Sequence, residues 1–188
     1  SSFLEDVFKG HNVQVVFFIR SYADFVESTY IQKIKEGETF SFDNYIDSID
    51  LSALSWQHCL ATLSESFGNA IKVVSYENFK ERQREVIQDM LSFFEGSFDT
   101  LNLDSSNNVN MSYSDVALRL AALGNSLLDK GDVKDYRNFL LKRFPSTIYG
   151  KPLLFKSELR EKLDFKYKRD RKQLINTYSS RQAQSKKE

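Results

Sequence analysis

The stretch that decides the fold is residues 13–30, VQVVFFIRSYADFVESTY. An apolar run rich in β-branched and aromatic residues ends at Arg20, and an amphipathic helical pattern begins immediately afterwards. This arrangement is typical of a buried parallel strand followed by a helix. It places Arg20 at the carboxyl edge of the sheet, where α/β proteins bind ligands. Ser21, followed three residues later by Asp24, has the spacing of a capping box and predicts the helix start.

Arg20 and Ser28 are eight positions apart, one before and one after the predicted helix start. An arginine fork and a hydroxyl that converge near a helix N-terminus are suited to hold a phosphate. Two plainer interpretations stay open: Arg20 pairs with an acidic neighbour at the strand end, and Ser28 is an ordinary exposed hydroxyl. We interpret Arg20 as an anion-binding residue because of its place at the sheet edge. Tyr30 is expected to pack in the core.

A second strand is predicted at residues 71–76, IKVVSY, and it ends at Tyr76. Roughly fifty residues separate the two strands, enough for two or three helices. Two buried strands joined through helices predict a parallel pair with a right-handed crossover. Tyr76 would then lie on the same edge as Arg20, and Glu77 is expected to anchor the local backbone.

The rest of the chain has mainly helical periodicity. Trp56 and Cys59 are predicted to face the core. The pattern predicts an α/β fold with a mostly helical C-terminal half, one domain over residues 1–178, and a disordered tail at 179–188. Helices are predicted at 21–35, 39–48, 51–67, 81–95, 114–130, 132–143 and 157–178, with a polar loop at 97–112.

These features resemble the sulfotransferases that use 3′-phosphoadenosine 5′-phosphosulfate (PAPS). Arg20, Ser28 and Tyr30 after an apolar strand are similar to the family's 3′-phosphate-binding segment. The Tyr76-Glu77 pair after the second strand, FFEG at 93–96 and NMSYS at 110–114 continue the resemblance. It implies part of a P-loop-NTPase-like three-layer fold, closest to bacterial and carbohydrate-directed members. It also implies PAPS binding by Arg20, Ser28 and Tyr76, with the tyrosine near the adenine.

The resemblance implies transfer of a sulfuryl group from PAPS to a hydroxyl or amine acceptor, with a carbohydrate expected. No Gly-rich loop of the Walker type occurs in the sequence, and no residues form a catalytic constellation. We therefore expect the chain to be the C-terminal portion of such a fold, which holds the nucleotide and does not perform the transfer. No Lys or Arg occurs between Arg84 and Arg119, where cytosolic small-molecule enzymes carry a basic element.

Two alternatives stay open beside this hypothesis. One is a non-catalytic binding or assembly module derived from a sulfotransferase. The other is a nucleotide-kinase-like P-loop protein, which would prefer ATP to a 3′-phosphorylated nucleotide.

The composition of the chain narrows the classes of protein to which it could belong. Hydrophobic residues make up 41% and aromatic residues 14% of the chain, enough for a packed core. Two histidines and the single Cys59 form no metal site of familiar spacing, and neither a membrane span nor a nucleic-acid-binding motif is recognisable. Residues 156–188 contain eleven Lys and Arg against five Asp and Glu, a net +6, which we interpret as a solvated helix. One cysteine weakly favours a cytoplasmic location, with the secretory pathway left open.

Overall fold

The computed structural model describes residues 6–68, 70–94, 111–129 and 131–185, with side chains up to Tyr178. Residues 95–110, which include most of the predicted polar loop, lie outside the described residues. The described elements are β1 (Val15–Ile19), α1 (Tyr22–Lys35), α2 (Phe42–Asp47), a 3₁₀ turn (Leu51–Ala53), α3 (Trp56–Phe67), β2 (Ile71–Ser75), α4 (Tyr76–Glu81), α5 (Gln83–Phe93), α6 (Asp115–Asn125), α7 (Val133–Arg143), α8 (Ser146–Tyr149) and α9 (Ser157–Ser185). The fold is mixed α/β, mostly helical, with its strands parallel.

Contacts within the chain group it into two compact units, each assembled from separate segments. Unit 1 comprises Ser1–Ser21, Ser55–Leu103 and Asp164–Glu188, and unit 2 comprises Tyr22–Leu54 and Asp104–Leu163. The sequence predicted one domain over residues 1–178. The boundary at Leu163 and Asp164 falls inside α9, so this helix contributes residues to both units.

Unit 1 contains the parallel pair. The register pairs Val15 with Ile71 and Ile19 with Ser75. Side chains alternate between the two faces of a strand, so Phe17 contacts Trp56 and its neighbour Phe18 contacts Phe79. Helix α9 supplies further core side chains to this unit. These side chains are Tyr167, Leu174 and Tyr178.

Unit 2 has an apolar core built mainly on α1 and α6. Val26, Tyr30 and Ile34 recur every four residues on α1 and are buried, which confirms the prediction that Tyr30 packs in the core. The Asn125 side-chain amide donates to the carbonyls of Ile34 (2.7 Å) and Glu38 (2.9 Å), where α1 ends. The Ile34 carbonyl also accepts the backbone N–H of Gly37 at 3.1 Å, so Asn125 is a second partner for it and ties the end of α1 to the residues that follow.

The start of α9 is attached to α1 by an ion-pair network within unit 2. The Arg160 guanidinium donates to Asp24 and, at 2.8 Å, to Glu27. Glu27 also accepts the backbone N–H groups of Leu154 and Phe155, both at 3.4 Å. The acidic residue expected in a capping box, Asp24, therefore also takes part in a tertiary contact.

Three predictions for residues of unit 1 are wrong in detail. Strand β2 ends at Ser75 and Tyr76 begins α4, because the Ser75 hydroxyl accepts the N–H of Asn78 and caps that helix. The helix predicted at 81–95 is α5, which begins at Gln83; the short helix α4 before it was not predicted, and Arg82 (φ −136°, ψ 50°) separates the two. Cys59 is exposed: it lies about 100° around α3 from Leu60, which is the residue that faces the core.

Candidate functional site

The carboxyl edge of the β1–β2 pair carries the candidate site, which lies entirely in unit 1. Because the strands are parallel and Ile19 pairs with Ser75, the residues that directly follow the two strands lie at the same edge of the sheet. These residues are Arg20 and Tyr76. The Arg20 guanidinium carbon lies 5.2 Å from the centroid of the Tyr76 ring, within cation–π distance. The fold thus brings together two of the three predicted binding residues.

The backbone at Arg20 is held by α3. The indole N–H of Trp56 donates to the Arg20 carbonyl at 2.8 Å. Trp56 is half-buried and its ring also packs on Phe17 at 6.0 Å, so it combines a core contact with a polar one. Sequence reasoning assigned Trp56 to the core and missed this hydrogen bond.

Glu77 joins the ends of both strands. Its carboxylate accepts the backbone N–H of Ser21 (3.2 Å) and the hydroxyls of Ser75 (2.6 Å) and Tyr167 (2.7 Å). The prediction that Glu77 anchors the local backbone is confirmed. Burial acts to raise the pKa of Glu77, but these hydrogen bonds favour the charged form and leave the pKa below its ordinary value. Burial and this carboxylate together raise the pKa of Tyr167.

Helix α9 supports the segments that follow the two strands, which are Ser21 after β1 and helix α4 after β2. Asp164 accepts a hydrogen bond from the Ser21 hydroxyl at 2.5 Å, and Arg171 donates to the Asn78 side chain at 2.8 Å. With Tyr167, these residues have the spacing i, i+3 and i+7, which places them on one face of the helix. Sequence reasoning interpreted this basic segment as a solvated helix and missed these tertiary contacts.

A second cation contacts Tyr76. The Lys80 ammonium lies 4.6 Å from the Tyr76 ring centroid, and Phe79 stacks on the same ring at 6.3 Å with 21° between the planes. Lys80 is exposed and follows Tyr76 by four residues in α4. That i, i+4 spacing was a signal in the sequence, but it was hidden by the prediction that residue 76 ends a strand.

Ser28, the third predicted binding residue, belongs to unit 2. Its hydroxyl donates to the carbonyl of Phe25 at 2.9 Å inside α1. A hydrogen bond to a carbonyl in the preceding turn is a common arrangement for a helical serine. The nucleotide-binding role of Ser28, like those of Arg20 and Tyr76, stays a prediction.

Within the described ranges, no group of three or more His, Cys, Asp or Glu side chains could hold a metal ion. No helix in the described part of the chain has both the length and the apolar composition needed to cross a membrane. No family model, curated protein or solved structure matches the chain.

Proposed function

We propose that the carboxyl edge of β1 and β2 binds the 3′-phosphate of PAPS, and that the chain is the nucleotide-holding portion of a sulfotransferase-like enzyme. The observation that carries the proposal is the contact between Arg20 and Tyr76, from two adjacent parallel strands. A guanidinium beside an aromatic ring offers both a phosphate ligand and a surface for a base. The proposal includes a partial P-loop-like three-layer fold.

In the complete reaction, the bond from sulfur to the bridging oxygen of the 5′-phosphate breaks, and sulfur forms a new bond to the oxygen or nitrogen of the acceptor. We expect that acceptor to be a hydroxyl or amine, with a carbohydrate as the first class to test. Its proton passes to a base that none of the residues assigned here supplies, and adenosine 3′,5′-bisphosphate leaves. Such transfers depend mainly on positioning and charge stabilisation. Arg20 and Tyr76 would contribute positioning alone.

The test is calorimetric titration of adenosine 3′,5′-bisphosphate into the chain and its Arg20→Ala variant. A hydrogen bond to a charged group contributes about 1.5–3 kcal/mol, so we expect the variant to bind about ten- to a hundred-fold more weakly. Arg82→Ala is the matched control, because Arg82 is an exposed arginine of the same unit that pairs with Glu85. Circular dichroism of each variant verifies folding.

Equal affinity in wild type and Arg20→Ala would contradict the proposal, as would the absence of binding in the wild type. ATP is titrated in parallel because it lacks the 3′-phosphate. Binding of ATP as tight as that of the bisphosphate would favour the nucleotide-kinase-like alternative.

A further inference from the structure

Two cations from different elements contact one aromatic ring in unit 1. Arg20 follows β1, and Lys80 lies in the last turn of α4. Their charged groups are 5.2 Å and 4.6 Å from the centroid of Tyr76. Each contact alone is an ordinary cation–π pair. Two like charges held at one ring raise the local positive potential, which attracts an anion more strongly than either cation alone.

The ammonium of Lys80 is available to a ligand. Among the described residues it forms no ion pair, and the side chain is exposed. The lysine at position 72 behaves differently, since its ammonium lies 2.8 Å from Asp89. The contact with Tyr76 orients the Lys80 stem without neutralising its charge.

The surface beside the two cations is aromatic. Tyr76 and Phe79 stack nearly parallel, and Phe18 meets Phe79 edge-on at 5.5 Å. Phe18 retains 38% of its surface exposed, although it lies on a strand. A ligand that carries both a phosphate and a planar base would match the charges and this apolar surface together.

We infer that Lys80 is a second phosphate-binding side chain of this site, beside Arg20. The ligand is one that carries both a phosphate monoester and a planar base. This inference rests on the proposed function and adds to it a residue that the sequence hypothesis did not contain. Lys80 binds the phosphate as a point charge, and Arg20 provides the directional fork.

The experiment compares wild type, Lys80→Gln and Lys80→Arg in titrations with adenosine 3′,5′-bisphosphate and with inorganic pyrophosphate. Glutamine keeps half of the methylene stem and removes the charge. We expect Lys80→Gln to weaken nucleotide binding about tenfold and Lys80→Arg to restore most of the affinity. Lys168→Gln, an exposed lysine of the same unit, is the control and is expected to bind like wild type.

The outcomes separate this inference from the proposed function. If Arg20→Ala loses affinity and Lys80→Gln does not, the role of Lys80 is overturned and the proposed function stands. If Lys80→Arg binds as weakly as Lys80→Gln, the charge of Lys80 is not what the ligand uses, which also overturns the inference. Pyrophosphate binding that depends on both cations, without nucleotide binding, would support Lys80 and contradict the nucleotide function. A wild type that binds neither ligand overturns both proposals.

Discussion

Glu77 shows how one half-buried carboxylate can organise a sheet edge. It accepts hydrogen bonds from the backbone after β1, from the end of β2 and from α9. Such charge-assisted bonds are stronger than neutral ones, and they fix the backbone after β1, which carries Arg20, and the junction of β2 with α4, which carries Tyr76. The positions of both candidate binding residues therefore depend on a residue to which we assign no ligand.

The Glu77→Gln variant tests this role. We expect it to lower the free energy of unfolding by about 2 kcal/mol at neutral pH, because charge-assisted hydrogen bonds become neutral ones. The pKa of Glu77 in the fold is below its ordinary value of 4.5, so its contribution is complete above about that pH and is lost as pH falls through the folded-state pKa. Urea unfolding is measured between neutral pH and pH 3. As pH falls, the free energy of unfolding should decrease less steeply in the variant than in wild type.

Glu85→Gln is the control for this experiment, since Glu85 is exposed and pairs only with Arg82 in the described part of the chain. It should unfold like wild type. If the free energy of unfolding of Glu77→Gln falls as steeply at acid pH as that of wild type, the assigned role is contradicted.

At the scale of elements, α6 and α7 approach each other closely at Gly124. A Cβ atom at this position would lie 2.4 Å from a ring carbon of Tyr136, well inside van der Waals contact. The ring has little room to move, because its hydroxyl donates to the carbonyl of Leu120 at 2.8 Å. Glycine is thus required here by packing.

Gly124→Ala should destabilise the protein by about 1–2 kcal/mol. Overpacking costs about 1–3 kcal/mol, and the gain in helix propensity is small so near the end of α6. Equilibrium urea unfolding measures the difference. Gly131→Ala is the matched control, because a Cβ at Gly131 meets nothing within 4 Å. Equal stability of the two variants would show that the Tyr136 ring can move aside without lowering the free energy of unfolding.

At the scale of the whole molecule, each unit is assembled from segments that are far apart in the chain. The hydrogen bond between Ser21 and Asp164 joins residues 143 positions apart, and both belong to unit 1. Unit 1 therefore needs the first and last parts of the chain together. No local composition in the sequence marks such an interleaved boundary, and one domain over residues 1–178 stays a prediction.

Truncation after Leu163 is expected to destabilise unit 1 selectively. It removes Tyr167 from Glu77 and Tyr178 from the Leu60 carbonyl, and so exposes core around β1 and β2. Hydrogen exchange of the β1 and β2 amides should accelerate, whereas protection of the α6 and α7 amides in unit 2 should persist.

Truncation after Tyr178 is the control. It removes residues 179–188, which the sequence predicted as a disordered tail, although residues 179–185 continue helix α9. We expect it to leave exchange unchanged in both units. Uniform loss of protection after the longer deletion would show that the two units unfold as one.

The sequence by itself determined the features that depend on short-range patterns. Apolar runs and helical periodicity located both strands and most helices, and the parallel pairing that they implied placed Arg20 and Tyr76 at one edge. The sequence analysis also predicted that Tyr30 packs in the core, as the structure shows. These features are predictable because strand alternation and helix periodicity act over a few neighbouring residues.

The tertiary structure alone decided which distant groups meet. The contact of α9 with Glu77 and the hydrogen bond from Trp56 to Arg20 join residues that are far apart in the sequence. Each of the two units is likewise assembled from distant segments. The exposure of Cys59 depended on which face of α3 packs inward, a choice made by the neighbouring elements. Hydrogen bonding and packing across long separations are properties of the whole folded chain, and local pattern does not encode them.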